Sequence, residues 1–131
     1  MKYKETVTAV FSLFAIPEWV SQGVRTIPSN FSNKGTLPYV VVDVIPSGNP
    51  LNLTSTRGVV LCVIYTASGK GPDEYLSIAD TINQFFEGKS IDSQNGVVQF
   101  GKSSLSPLPS KEGAETFRAT LSIPFNFFDI S

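Results

Sequence analysis

Few residues of this chain are of a type that carries out acid–base or metal chemistry. The sequence has no histidine and a single cysteine, Cys62. Histidine is the commonest general base and metal ligand, so its absence excludes Ser–His–Asp and Cys–His catalysis. One cysteine without a histidine does not make a zinc site. Because Cys62 lies inside an apolar run, we expect a buried and unreactive thiol there.

The best candidate for ligand chemistry is the turn Gly69-Lys70-Gly71, between a predicted strand and a predicted helix. A helix N-terminus after such a turn is the geometry that binds anions. The match to a phosphate-binding loop is partial, because the first glycine of that motif would fall at Ile64 and its Ser or Thr at Gly71. Pro72 also removes one amide donor. We interpret the turn as a plain strand-to-helix connection, with a small anion- or ligand-binding domain as an alternative.

Carboxylates in informative positions are equally sparse. Asp73 and Glu74 begin the predicted helix, where the helix dipole stabilises acids, so we give them a structural role. Asp43 interrupts an apolar strand, and a hydrogen bond with Arg57 or Arg118 is the expected explanation. The sequence therefore predicts no enzyme, no cofactor and no metal site.

Size and charge narrow the class of protein. The chain has 131 residues, of which 41% are apolar and 16% charged. This length fits one domain, residues 1–131, that buries its own core. The net charge is −1 and no block of like charge occurs, which argues against broad binding to nucleic acid. No segment has the roughly 18 consecutive apolar residues that a membrane span requires.

Hydrophobic periodicity predicts six elements along the chain. They are a helix over 4–15, strands over 37–45 and 58–66, a helix over 72–86, and strands over 97–101 and 114–125. This order predicts an α+β fold, a mainly antiparallel four-stranded sheet with two helices packed on one face, in the order α-β-β-α-β-β. Pro17 should end the first helix and Gly88 the second. Trp19 and Phe31 should anchor the irregular segment that follows the first helix.

The first two predicted strands are apolar on both of their faces. Such strands are typical of sheets that are covered on both sides. Two helices on one face leave the other face for a neighbouring subunit, while loops or a central place in the sheet would explain the pattern equally well. The linker Pro46–Arg57 is too long for a tight hairpin and predicts a projecting arm, with Leu51 and Leu53 as its apolar contacts.

A series of short motifs follows this arrangement in order. It comprises the N-terminal helix, Ile27-Pro28-x-Asn30-Phe31, Leu37-Pro38-Tyr39-Val40, a long arm, a strand that begins at Gly58, Gly69-x-Gly71, a helix that ends in Phe85-Phe86, and a closing strand that ends in Ile123-Pro124-Phe125. In this order the chain resembles the tail terminator, or tail completion, proteins of long-tailed phages and prophages. The resemblance covers most of the chain.

The resemblance implies a structural virion protein without catalysis. Proteins of this family assemble as a ring, expected here to be a hexamer, on the end of the tail tube. They stop tube polymerisation and provide the surface to which the head joins. The implied partners are further copies of the chain, the tail tube protein and the head–tail connector or head-completion protein. The implied location is the tail or neck of the virion, assembled in the bacterial host cytoplasm, with no nucleic-acid specificity and no membrane.

The predicted interface residues are Leu51, Leu53, Arg57, Lys70 and Arg118, chosen for position and expected exposure. Two related functions stay open, namely another neck or head-completion ring component and a tail tube subunit. The small anion- or ligand-binding domain is the alternative from a different class.

Overall fold

A computed structural model describes residues 2–28, 38–47, 55–67, 73–93, 96–108 and 116–129 of the chain. These residues form three helices and seven strands. The elements are α1 (Lys2–Leu13), α2 (Pro17–Val20), β1 (Arg25–Pro28), β2 (Tyr39–Ser47), β3 (Ser55–Ala67), α3 (Asp73–Phe86), β4 (Ser90–Ser93), β5 (Gly96–Phe100), β6 (Ser104–Leu108) and β7 (Thr116–Asp129).

All seven strands belong to one mixed sheet. Its order is β1-β2-β3-β7-β5-β4, and β6 pairs with β7 beside β5. The β1–β2 pair is parallel, and the other pairs are antiparallel. The centre of the sheet is the long β3–β7 pair, which runs in continuous register from Ser55 opposite Phe128 to Ala67 opposite Thr116.

The predicted four-stranded sheet with two helices is wrong, because the structure has a mixed sheet of seven strands and three helices in the described residues. The strands missing from the prediction are β1, β4 and β6, which have only four or five residues each. β4 and β6 are rich in serine and are too short for a clear strand pattern. They are strands because β5 and β7 offer their backbone groups for pairing, which is a tertiary effect.

The third helix, α2, begins at the proline that was expected only to end the first helix. Pro17 occupies an N-terminal position of α2, where its missing N–H group costs nothing. The end of α3 agrees with the prediction, since Gly88 has a φ of 71° that favours glycine after a helix.

On the side away from β3, β7 pairs with two short strands, β5 and β6, and a bulge separates them. Phe100 of β5 lies opposite Phe125, whereas Ser104 of β6 lies opposite Ser122. Residues 101–103 therefore oppose only two residues of β7, which is the geometry of a β-bulge. The Gly101 N–H still donates to the Pro124 carbonyl oxygen at 2.8 Å.

The core lies between the helices and one face of the sheet. Even-numbered residues of β3 and odd-numbered residues of β7 point into it, as the alternation of strands requires. The buried residues of this group are Val60, Cys62, Ile64, Thr66, Ala119, Leu121, Ile123, Phe125 and Phe127. The helices contribute Val10, Ile78 and Ile82, among others. One face of the sheet is thus covered within the subunit.

A chain of aromatic contacts joins the helices to the sheet. Phe14, just after α1, contacts Trp19 of α2 with ring centroids 5.4 Å apart. Phe14 also contacts Phe86 of α3 at 5.2 Å. Phe86 in turn meets Phe100 of β5 edge to face at 5.0 Å. Such pairs add stabilisation beyond their buried area.

Trp19 also ties α2 to the first strand. Its side chain is 1% exposed, and Nε1 donates a hydrogen bond of 2.7 Å to Thr26 Oγ1 of β1. The predicted anchoring role of Trp19 is confirmed, whereas Phe31 lies outside the described residues.

Two strand glycines lie directly beneath aromatic rings. A Cβ atom on Gly58 would meet the Ile45 carbonyl oxygen, and it would lie 2.7 Å from the ring of Phe125, its cross-strand partner. A Cβ on Gly96 would lie 2.7 Å from the ring of Phe127. These rings occupy the space that a side chain at each glycine would need.

Gly58→Ala should lower the free energy of unfolding by about 2 kcal/mol, because the added methyl group overpacks the core against backbone and a buried ring. Urea denaturation followed by fluorescence of the single tryptophan, Trp19, measures this. Gly101→Ala is the matched control, since its Cβ would approach only Pro124, with Cγ the nearest atom at 3.1 Å. An equal loss in the two variants would contradict the packing argument.

Candidate interaction surface

The described residues offer little for catalysis. They contain no group of three or more His, Cys, Asp and Glu residues that could hold a metal ion. The Cys62 side chain is fully buried, and burial raises the pKa of its thiol to about 12. The predicted burial of this thiol is confirmed, and its low reactivity stays a prediction.

A serine beside a carboxylate occurs where α3 meets the bulge. Ser103 Oγ donates to Asn83 Oδ1, and it also lies 3.3 Å from Glu87 Oε2. The Ser103 N–H donates to the same Glu87 oxygen at 3.2 Å. Because the acceptors belong to Asn83 of α3 and to Glu87 just after it, these bonds hold the bulge against the end of the helix.

Two clefts lie on the helix side of the molecule. One, of about 220 Å³, lies between α2 and α3 and is lined by Trp19, Glu74, Ser77 and Thr81, among others. The other, of about 350 Å³, lies at the edge of the sheet beside β1, over Phe14 and Val20, and the edge-strand residue Arg25 borders it. Small-molecule sites typically enclose roughly 300–1,000 Å³ and bury most of their ligand. Both clefts are open to solvent, so neither has the enclosed form of such a site.

The larger feature is the second face of the sheet, which none of the described helices covers. We call it the outer face, and on the three central long strands it comprises Tyr39, Val41, Asp43, Ile45, Arg57, Val59, Leu61, Val63, Tyr65, Arg118, Thr120, Ser122, Pro124, Asn126 and Phe128. Most of its apolar side chains are half-buried, and Ile45 is 38% exposed. The apolar pattern on both faces of β2 and β3 thus corresponds to one face under helices and one partly open to solvent.

Two predicted interface residues lie on this face, and both are exposed. Arg57 lies opposite Asn126, while Arg118 lies opposite Tyr65. Because Tyr65 is eight residues beyond Arg57 along β3, the two arginines are about 27 Å apart. The structure therefore brings them to one face but not to one site. Leu51, Leu53 and Lys70 lie outside the described residues.

Asp43 lies in the middle of the outer face, opposite Leu61. Along β3, Leu61 is four residues from Arg57 and four residues from Tyr65, which is the partner of Arg118. Each arginine is therefore about 14 Å from Asp43, measured along the strands. The expected hydrogen bond of Asp43 with Arg57 or Arg118 is therefore absent. Within the described ranges, Asp43 is a half-buried carboxylate among apolar neighbours.

Two arginines and two tyrosines form one row across the strands of this sheet, near one end of the outer face. The strand registers place Arg25 opposite Tyr39, Tyr39 opposite Tyr65, and Tyr65 opposite Arg118. We call these four residues the tyrosine row. The two tyrosine rings stack with centroids 4.8 Å apart and an angle of 26° between them. Both arginines are exposed.

The tyrosine row consists of hydrogen-bond donors. Partial burial, and then the nearby Tyr65 phenol, raise the pKa of Tyr39 above its ordinary value of 10.0. Its hydroxyl therefore keeps its proton at neutral pH and can donate, and each guanidinium carries several N–H donors. Arg25 and Arg118 form no ion pair with any other residue in the described ranges. The row suits an acceptor-rich, anionic partner.

Of the four residues in the row, only Arg118 is among the interface residues that the sequence predicts. Tyr39 and Tyr65 lie within the two predicted strands over 37–45 and 58–66. Their pairing depends on the register of β2 with β3, which a long connection leaves undetermined in the sequence. Nothing in the sequence singles out Arg25, because the four residues of β1 are too few to show a clear strand pattern.

Comparison with known proteins supports the fold alone. No protein-family model matches the sequence, and no curated protein matches it. Several solved structures match, and one of them superposes with a TM-score of 0.71 at 16% sequence identity, over 95% of this chain and 94% of that chain. At this identity the likeness extends to the architecture and not to an activity. In the described part of the chain, no helix has the length and apolarity to cross a membrane.

Cys62 should resist alkylation by iodoacetamide in the folded protein at pH 8, because its thiol is buried and stays protonated. The unfolded chain in guanidinium chloride should react completely in the same period. Mass spectrometry of the intact protein measures both. Equal rates in the two states would contradict the buried position.

The same raised pKa predicts a loss of stability at high pH. An unfolded thiol ionises near pH 8.5, whereas the folded thiol ionises only near 12. The unfolded state therefore releases a proton first, and stability falls through this window by up to about 1.4 kcal/mol per pH unit. Urea denaturation at pH 8 and pH 10 measures the loss. Cys62→Ala, which has no thiol, is the control and should lose less.

Proposed function

We propose that this chain is a tail terminator, a structural virion protein that forms a ring on the end of a tail tube. In this role the ring stops polymerisation of the tube and provides the surface that joins the head. The proposal combines the family resemblance of the sequence motifs with one structural observation. That observation is the outer face of the sheet, a broad and half-exposed apolar surface opposite the helices.

Two unlike faces are what a ring-forming subunit needs. A ring closes through a heterologous contact, in which one surface of a subunit meets a different surface of the next. Here a helical layer and a partly apolar sheet lie on opposite sides of one subunit. A half-exposed face with Val41, Leu61 and Val63 at its centre is the kind of surface that subunit contacts bury.

Composition supports the same assignment. The chain carries a net charge of −1 and no histidine, which fits a protein that binds other proteins rather than a nucleic acid or a reacting substrate. The proposed partners are further copies of the chain, the tail tube protein and the head–tail connector or head-completion protein. Assembly would take place in the host cytoplasm, and the finished ring would lie in the neck of the virion.

The decisive experiment measures the mass of the purified protein by light scattering, alone and after mixing with its tail tube protein. A hexamer of this 14.2 kDa subunit would have a mass of about 85 kDa. Electron microscopy of the mixture should show tubes that stop at shorter lengths than tubes grown without the protein.

The control is the tube protein alone at the same concentration. A monomer that leaves the length of the tubes unchanged would overturn the proposal. A ring that binds a head-completion protein and ignores the tube would assign the chain to another position in the neck.

A further inference from the structure

We infer that the tyrosine row of one subunit is the docking site for an acidic ridge on helix α3 of a second copy of this chain. The ridge consists of Asp73, Leu76 and Asp80. This inference deepens the proposed function and rests on it, because it names the contact through which the ring would close.

The ridge is one exposed stripe of α3. Its three residues follow the spacing i, i+3 and i+7, which brings side chains to the same side of a helix. All three are exposed, and Leu76 is 39% exposed. The opposite side of α3 is buried against the sheet through Ile78 and Ile82. The ridge therefore faces away from its own subunit.

The charges and the spacing of the two surfaces match. Asp73 and Asp80 are seven residues apart, which corresponds to about 10.5 Å along the helix. Arg25 and Arg118 are three strand spacings apart, which corresponds to about 14 Å. Long guanidinium side chains can close this difference from both ends. Each arginine then meets one carboxylate, which is the geometry of strong charge-assisted hydrogen bonds.

The centre of each surface is less polar than its ends. Leu76 lies between the two carboxylates, and the stacked rings of Tyr39 and Tyr65 lie between the two arginines. Docking the ridge on the row would bury Leu76 against the rings and against neighbouring apolar side chains of the outer face. An apolar centre within a charged rim is the common anatomy of protein interfaces.

The two surfaces cannot meet within one subunit. α3 packs on the core face of the sheet, whereas the row lies on the outer face. A contact between them is therefore heterologous, and its repetition around a rotation axis closes a ring. Nucleic acid is a poorer occupant, because the row has only two cations and the chain has a net charge of −1.

A charge-reversal pair tests the contact. Arg118→Glu should lower the association constant of the oligomer at least tenfold, since it places like charges opposite each other. Asp80→Arg should do the same. The double variant should recover at least half of the wild-type oligomer at equal concentration, because the pair is restored with reversed signs. Light scattering measures the mass, and the length of tail tubes provides the readout if the ring forms only on the tube.

Two exposed residues outside both surfaces provide matched controls. Lys102→Glu and Glu18→Arg make the same changes of charge elsewhere and should leave the oligomer unchanged. Circular dichroism and the fluorescence of Trp19 establish that each variant is folded. Substitutions of exposed surface side chains usually have little effect on folding.

The outcomes separate this contact from the proposed function. If the wild type forms rings and Arg118→Glu and Asp80→Arg form them equally well, the contact is overturned and the terminator function stands. If the wild type neither forms a ring nor shortens tubes, both are overturned. If a dT30 oligonucleotide binds the protein and Arg118→Glu abolishes this binding without any effect on the oligomer, the row is a nucleic-acid site instead.

Discussion

The central constraint in this molecule is the antiparallel pairing of β3 with β7. The two strands run side by side along their full described lengths, and their register decides which side chains point to the helices and which to the outer face. Because strand side chains alternate, a slip of one residue would exchange the two sets. Val60 and Ile123 would then leave the core, and polar residues such as Ser122 would enter it. The other strands and the helices attach to this pair.

The helices stay on one face because aromatic side chains hold them there. The rings of Phe14, Phe86 and Phe100 connect the end of α1, α3 and β5, and Trp19 extends the chain of contacts to α2. The hydrogen bond from Trp19 to Thr26 then reaches the first strand. All of this packing lies on the core side. The outer face has no comparable cover from the described helices, and this asymmetry is the physical basis of the proposal that the molecule belongs to an assembly.

The long elements could be predicted from the sequence because each carries its own pattern. β2, β3, β7 and α3 have regular apolar spacing, and Cys62 and Gly88 lie where burial and helix termination predict. The short strands could not be predicted. Their residues, such as the Ser-Ile-Asp-Ser segment of β4, have weak preferences, and pairing with a strand already in place decides their structure. The tyrosine row was hidden for a related reason, since it is assembled from four strands and exists only once their registers are set.

The edge strands of the sheet affect how readily the subunit aggregates. In the described residues, β1, β4 and β6 each pair on one side only, and such edges are templates for unwanted strand pairing. All three are short. β1 ends in Pro28 and β6 contains Pro107, neither of which has an N–H to donate, and β4 carries the exposed Asp92. The edges are thus protected against fibre-like aggregation, even though the outer face of the same sheet stays partly exposed.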